Sequence, residues 1–240
     1  MAAYLLLLLQ LCGIGQPQTT FDTNYLLGKF EPAQHADFVA IDRKYRVNRP
    51  MYLRKDAYEA FVKMHEAAKK AGVTLTITSA TRNFDYQKKL WEDKWNGKTI
   101  LEDGTRATAI ADATERARKL LQYSAMPGSS RHHWGTDFDI NALSNAYYQT
   151  GKGKKIYAWL EKNAYKYGFC QPYSAMGAHR STGYHEERWH WSYYPISIQL
   201  TNLSSILLRD ENFVGFNGCE TAASIGIVKN YVLGIDASCR

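Results

Sequence analysis

The stretch SSRHHWGTDFDI, residues 129–140, restricts the fold more than any other part of this chain. Asp137 and Asp139 stand two apart around Phe138. On a strand, that spacing puts both carboxylates on one face and the aromatic ring on the other. Gly135 permits the sharp turn that brings a loop residue, His132, next to a strand residue, Asp139. An imidazole and a carboxylate are both good zinc donors. On its own, such a spacing more often marks a hydrogen-bonded pair or a polar surface cluster than a metal site.

A second stretch, HEERWHWSYYP at 185–195, supplies His190 with Glu187 three positions before it. On a strand, Trp189 and Trp191 share one face and His190 takes the other. A loop or bulge before Trp189 would let Glu187 swing beside His190. The bland alternative is a core histidine bonded to a backbone carbonyl. If the two stretches converge, three ligands leave one coordination position for water, as in catalytic zinc sites.

Around these stretches the periodicity alternates between helix and strand. Ala57, Phe61, Met64, Ala68 and Ala71 recur at helical spacing over 55–71, and Gly72 stops the run. VTLTITS at 73–79 alternates as a half-buried strand. Further helices are expected over 84–95, 112–123, 154–167 and 195–208, the last with Pro195 at its start. TDFDIN and RWHWSYY read as short strands, and 20–53 as an ordered arm without a strong period. Few strands and segregated helices predict a single α+β domain with a mostly antiparallel sheet. The expected organisation is a signal at 1–15, one domain over 20–210 and a C-terminal extension at 211–240 packed on it.

Lys and Arg outnumber Asp and Glu by 30 to 23. That excess suits a solvated surface or attraction to a polyanion such as an acidic cell wall. No run of clustered Lys/Arg supports a nucleic-acid patch. The apolar run Ala2–Leu11 is too short to span a bilayer as a helix. It fits a secretory signal with Gly13-Ile14-Gly15 as the cleavage site. Lipid attachment at Cys12 is the alternative. Export to a periplasm or cell envelope permits disulfides, and Cys219 with Cys239 is the expected pair among Cys170, Cys219 and Cys239, with three buried thiols as the alternative.

Three motifs together resemble the VanY-type D-alanyl-D-alanine carboxypeptidases, part of the lysostaphin/D-Ala-D-Ala metallopeptidase/hedgehog superfamily. PGSSRHHWGTDFD is similar to their S-x-H-x-x-G-x-x-x-D motif, ERWHW to E-x-W-H-W/F, and ITSATRNFDYQ to S-x-x-R-x-x-x-x-Q. The resemblance implies one Zn2+, held in a groove of an antiparallel sheet by His132, Asp139 and His190. It makes Glu187 the general base, Arg82 the cation facing the substrate, and Gln87 and Ser130 substrate contacts. Asp137 departs from the Ala most common there, and could tune the site or bind a ligand. His133, His185 and Glu186 match no ligand position.

The implied activity is hydrolysis of the terminal D-Ala-D-Ala bond of a peptidoglycan stem peptide. An L,D-carboxypeptidase or a wall endopeptidase would use the same constellation. A catalytically silent zinc-containing binding module is the non-enzymatic alternative, against which the intact Glu187 argues.

Overall fold

The computed structural model describes residues 21–240, so the expected signal at 1–15 and Cys12 lie outside the described residues. The chain opens with a short helix, α1 (Thr23–Leu26), followed by two paired strands, β1 (Phe38–Ala40) and β2 (Tyr52–Arg54). Helix α2 (Lys55–Lys70) buries Ala57, Phe61, Met64 and Ala68, the apolar stripe expected from their spacing. Strand β3 (Ile77–Ser79) leads to α3 (Phe84–Trp95), whose first turn is capped by the Asn83 side chain accepting from Tyr86 N–H. Helix α4 (Ala113–Leu120) precedes the loop that carries the histidines, and β4 (Asp137–Ile140) follows it. Then come α5 (Gly151–Asn163), β5 (Phe169–Cys170), β6 (His190–Tyr193) and α6 (Tyr194–Leu207).

The main sheet has the order β3-β4-β6-β5, and every neighbouring pair is antiparallel. Helices cover it on both faces, giving the α+β architecture. Alternation along β4 and β6 sorts their side chains into two environments. Phe138 and Ile140 join Phe61, Leu75, Leu160 and Phe169 in a core beneath α2 and α5. Phe138 stacks edge-on against Phe61 and Phe169, each at 5.1 Å between ring centres. The opposite face carries Asp137, Asp139, His190 and Ser192, all buried.

Beyond α6 the chain continues as short turns and one further helix, α7 (Ala222–Ile225). Ile225, Ile227, Val232 and Ile235 complete a second core with Trp91, Leu120, Met126 and Leu200. The chain end is pinned to the loop before β6: Asp236 N–H donates to Pro172 O at 2.8 Å and Ala237 N–H to His179 O at 3.2 Å. This docking corrects the expected disulfide. Cys239 lies beside β5 and bridges to Cys170 across a Cα–Cα distance of 5.7 Å, while Cys219 is free. Cys219 sits in a different turn, after Gly218, which is packed against the Trp95 ring.

Candidate metal centre

The antiparallel register sets Asp139 directly opposite His190, with Asp137 opposite Ser192. His132 arrives from a single helical turn, Arg131–Trp134, started by Ser130 and ended by Gly135. Gly135 adopts φ 72°, with the Phe38 ring and the Arg54 stem standing where a Cβ would project. Only glycine satisfies both the left-handed backbone and that close packing. The turn therefore delivers His132 onto the strand face that bears Asp139.

One donor atom from each of His132, Asp139 and His190 falls within a 4.8 Å span. His132 Nε2 is 3.3 Å from Asp139 Oδ1, and His190 Nδ1 is 3.1 Å from the same oxygen. A tetrahedral zinc with bonds of about 2.0–2.1 Å has ligand–ligand edges of roughly 3.3 Å. Two buried atoms of this cluster, His132 Nε2 and Asp139 Oδ1, have no hydrogen-bond partner. A buried polar atom left unpaired is costly, and a bound cation would satisfy both. Two nitrogens and one carboxylate oxygen form a donor set suited to zinc.

The ring orientations have identifiable causes. His132 Nδ1 lies 2.9 Å from Ala80 O, so that nitrogen donates and Nε2 faces the cluster. His190 is turned the other way round: Nε2 lies 3.0 Å from Asp137 Oδ1, and Nδ1 faces the cluster. Burial, with Arg82 nearby, lowers the His132 pKa to about 4 and keeps the ring neutral. Burial also works against charge on His190, but the carboxylates of Asp137 and Asp139 beside the ring outweigh it and raise its pKa to about 9. Burial likewise opposes the charge of Asp139, yet His132 and His190 hold it well below the usual carboxylate range. Taking up a cation therefore requires Nδ1 of His190 to give up its proton.

Glu187 lies in the loop before a tight turn at Arg188–Trp189, outside strand β6. Its Oε2 is 3.6 Å from His190 Nδ1, the juxtaposition that a loop at this point was expected to allow. Burial raises its pKa to about 8, against the pull of His190. Glu186 points elsewhere, pairing with Arg188 Nε at 3.2 Å. The exposed His185 and the buried His133 stay outside the cluster.

An open cleft of about 470 Å³ is lined by Asp139, Glu187, Arg82, Gln87, Lys94 and Glu102. Leu143, Asn145 and Trp189 form part of its wall. Arg82 has no ion pair among the described residues, and its buried Nε has no hydrogen-bond partner. Gln87 anchors its amide nitrogen on Ala125 O at 2.8 Å, while its side-chain oxygen is unpaired. Ser130 uses its hydroxyl to accept from His132 N–H, and it shares a small cavity with His132, Glu187 and His190. Tyr173 and Tyr184 line that same cavity, and neither was singled out from sequence. Their only advance signal was the abundance of tyrosine.

The D-alanyl-D-alanine carboxypeptidase family model, VanY, matches residues 50–196. The YodJ protein of Bacillus subtilis (strain 168) is 32% identical over 177 residues, covering 70% of this chain and 56% of YodJ. The D-alanyl-D-alanine carboxypeptidase of Enterococcus faecalis is 29% identical over 133 residues, covering 55% of this chain and 45% of its own length. The chain thus spans about half the length of the curated relatives it matches. Among solved structures, the LD-carboxypeptidase LdcB superposes with a TM-score of 0.52 at 28% identity, over 73% of this chain and 76% of LdcB. The matched region holds the whole histidine–aspartate cluster, Glu187 and Arg82, and on this match the chain belongs to the VanY family of D-alanyl-D-alanine carboxypeptidases.

Proposed function

We propose that this chain is a zinc-dependent carboxypeptidase that removes the terminal D-alanine of peptidoglycan stem peptides in an exported compartment. The observation that carries this reading is the meeting of His132, Asp139 and His190, with Asp139, Glu187 and Arg82 also lining an open cleft. His132 Nε2, His190 Nδ1 and an Asp139 oxygen would hold the cation. When bound, it supplies Lewis acidity, making a water more acidic and polarising a carbonyl.

The remaining work falls to the chain's own groups. Glu187 accepts the proton of the attacking water and passes it to the leaving amine. Its buried setting keeps its proton affinity near neutrality, where such a group works in both directions. Arg82 offers a planar fork to the carboxylate of a free peptide C-terminus. The unpaired oxygen of Gln87 is placed to accept from a peptide N–H in the cleft. The Cys170–Cys239 bridge supports an oxidising compartment, and the formal +7 suits an anionic wall.

The likeness to an LD-carboxypeptidase favours a second reading, cleavage before D-alanine after an L-configured residue. One assay separates the readings. The purified protein is given a stem pentapeptide ending in D-Ala-D-Ala, or a tetrapeptide ending in an L-diamino acid followed by D-Ala, and products are read by mass spectrometry. The expected result is D-alanine release from the pentapeptide, abolished by a chelator and restored by zinc. Release from the tetrapeptide alone would move the assignment to the second reading. If the zinc-loaded protein cleaves neither, the hydrolase reading is wrong.

A further inference from the structure

Asp137 does not line the cleft, yet it touches one of the three cluster residues. Its Oδ1 lies 3.0 Å from His190 Nε2 and 3.0 Å from Arg131 Nε. Its Oδ2 accepts from Thr136 Oγ1 at 2.5 Å and stands 3.0 Å from Ser192 Oγ. Both Arg131 and Asp137 are 0% exposed. The rest of the Arg131 guanidinium is spent on Thr201 Oγ1 at 2.9 Å and Ser192 Oγ at 2.8 Å, and its plane lies over the Trp134 ring. Thr201 belongs to α6, so the network ties the histidine to the helix that covers this face of the sheet.

We propose that Asp137, itself held by Arg131, is a positioning residue that sets His190 for the metal: it fixes the proton on Nε2 and leaves Nδ1 aimed at the cluster. The inference rests on reading this site as a metal centre. Three observations carry it. Every oxygen contact of Asp137 is satisfied inside the protein, so it has no lone pair to offer a ligand in the cleft. His132 is oriented by a neutral backbone carbonyl, whereas His190 is oriented by an ionised carboxylate, a stronger acceptor that also makes the ring a better donor to a cation. A buried ion pair is also a poor source of stability, since apolar residues of similar volume usually serve as well or better. Its presence on the rear of a metal-facing ring therefore points to orientation rather than to holding the fold.

The test measures zinc affinity, by competition with a chromogenic chelator, together with the melting temperature of the metal-free protein. Two variants are compared with the wild type. Asp137→Asn keeps the shape and loses the charge. The double variant Arg131→Met/Asp137→Ala removes the pair together and leaves no buried charge behind. Each is expected to hold zinc about 10- to 100-fold more weakly than wild type, the usual cost of losing a partner behind a ligand. The double variant should melt close to wild type. Unchanged zinc affinity in a folded variant would overturn the inference while leaving the metal-centre reading intact. A wild type that binds no zinc would instead defeat that reading itself. If the double variant failed to fold, Asp137→Asn alone decides by its affinity.

Discussion

Glu186 and Glu187 are adjacent and chemically alike, yet only Glu187 is buried beside His190. Glu186 is half-buried and spent on Arg188. Glu187→Gln should keep its zinc and its fold and lose about 10²- to 10⁴-fold in kcat, the usual worth of a general base. Glu186→Gln should lose little. Steady-state kinetics with metal analysis checks both, and the reverse pattern would move the base by one position. His133 gives a second test, through stability. Its Nε2 accepts from Gly128 N–H at 3.0 Å and its Nδ1 donates to Arg82 O at 2.6 Å, a pairing only the neutral ring can make. Burial lowers its pKa to about 3. The unfolded chain therefore takes up a proton near pH 6.5 that the folded chain refuses until about pH 3. Stability from this group is full above 6.5 and lost on acidification, by up to about 1.4 kcal/mol per pH unit. Urea unfolding from pH 6.5 to 4.5 should fall less steeply in His133→Gln than in wild type. Equal slopes would contradict the assignment. The trio His132, Asp139 and His190 was legible through the resemblance of its motifs to the VanY-type family; strand alternation and a turn glycine allow the three to meet but do not single them out. Arg131 was not, since nothing in a loop arginine announces that it turns inward to meet a buried carboxylate six positions along the chain.

The helices were the most readable elements. The stripe over Lys55–Lys70 and the Asn83 cap of Phe84–Trp95 are local signals, and the structure follows both. Helix α4 is shorter than expected, ending at Leu120, and α5 starts earlier, at Gly151. Strands were harder. The alternating run at 73–79 yields a ladder only from Ile77, because β4, its partner, extends no further than Ile140. The β1–β2 pair went unseen, each strand being three residues long with no alternation to detect. The disulfide depended on where the chain end docks, which spacing along the sequence cannot report. Cys170 and Cys239 are separated by 69 positions, so their bridge restrains a long loop of the unfolded chain. Cys239→Ser should cost about 2–4 kcal/mol in chemical unfolding, while Cys219→Ser should change little. Loss of stability on removing Cys219 instead would restore the pairing first expected from the sequence.

Taken as a whole, the molecule uses one sheet to divide an apolar core from a polar face. Alternation along β4 and β6 sends Phe138, Ile140 and Trp191 one way and Asp137, Asp139 and His190 the other. Helix α6 and the C-terminal turns close over the polar face except at the cleft. The chain end braces the loop that carries Tyr173, Tyr184 and Glu187, through Asp236, Ala237 and the Cys170–Cys239 bridge. Architecture class and strand polarity followed from composition and element order; the wrapping of the last thirty or so residues did not, because their short turns carry no period. The proposed chemistry depends on a cation sitting at one point on the polar face. Crystals grown with zinc and measured at the zinc absorption edge would locate it directly. The predicted result is one strong anomalous peak about 2.0–2.2 Å from His132 Nε2, His190 Nδ1 and an Asp139 oxygen, with Glu187 beside it and Asp137 behind His190. A peak elsewhere, or none at this cluster with zinc in excess, would contradict the account.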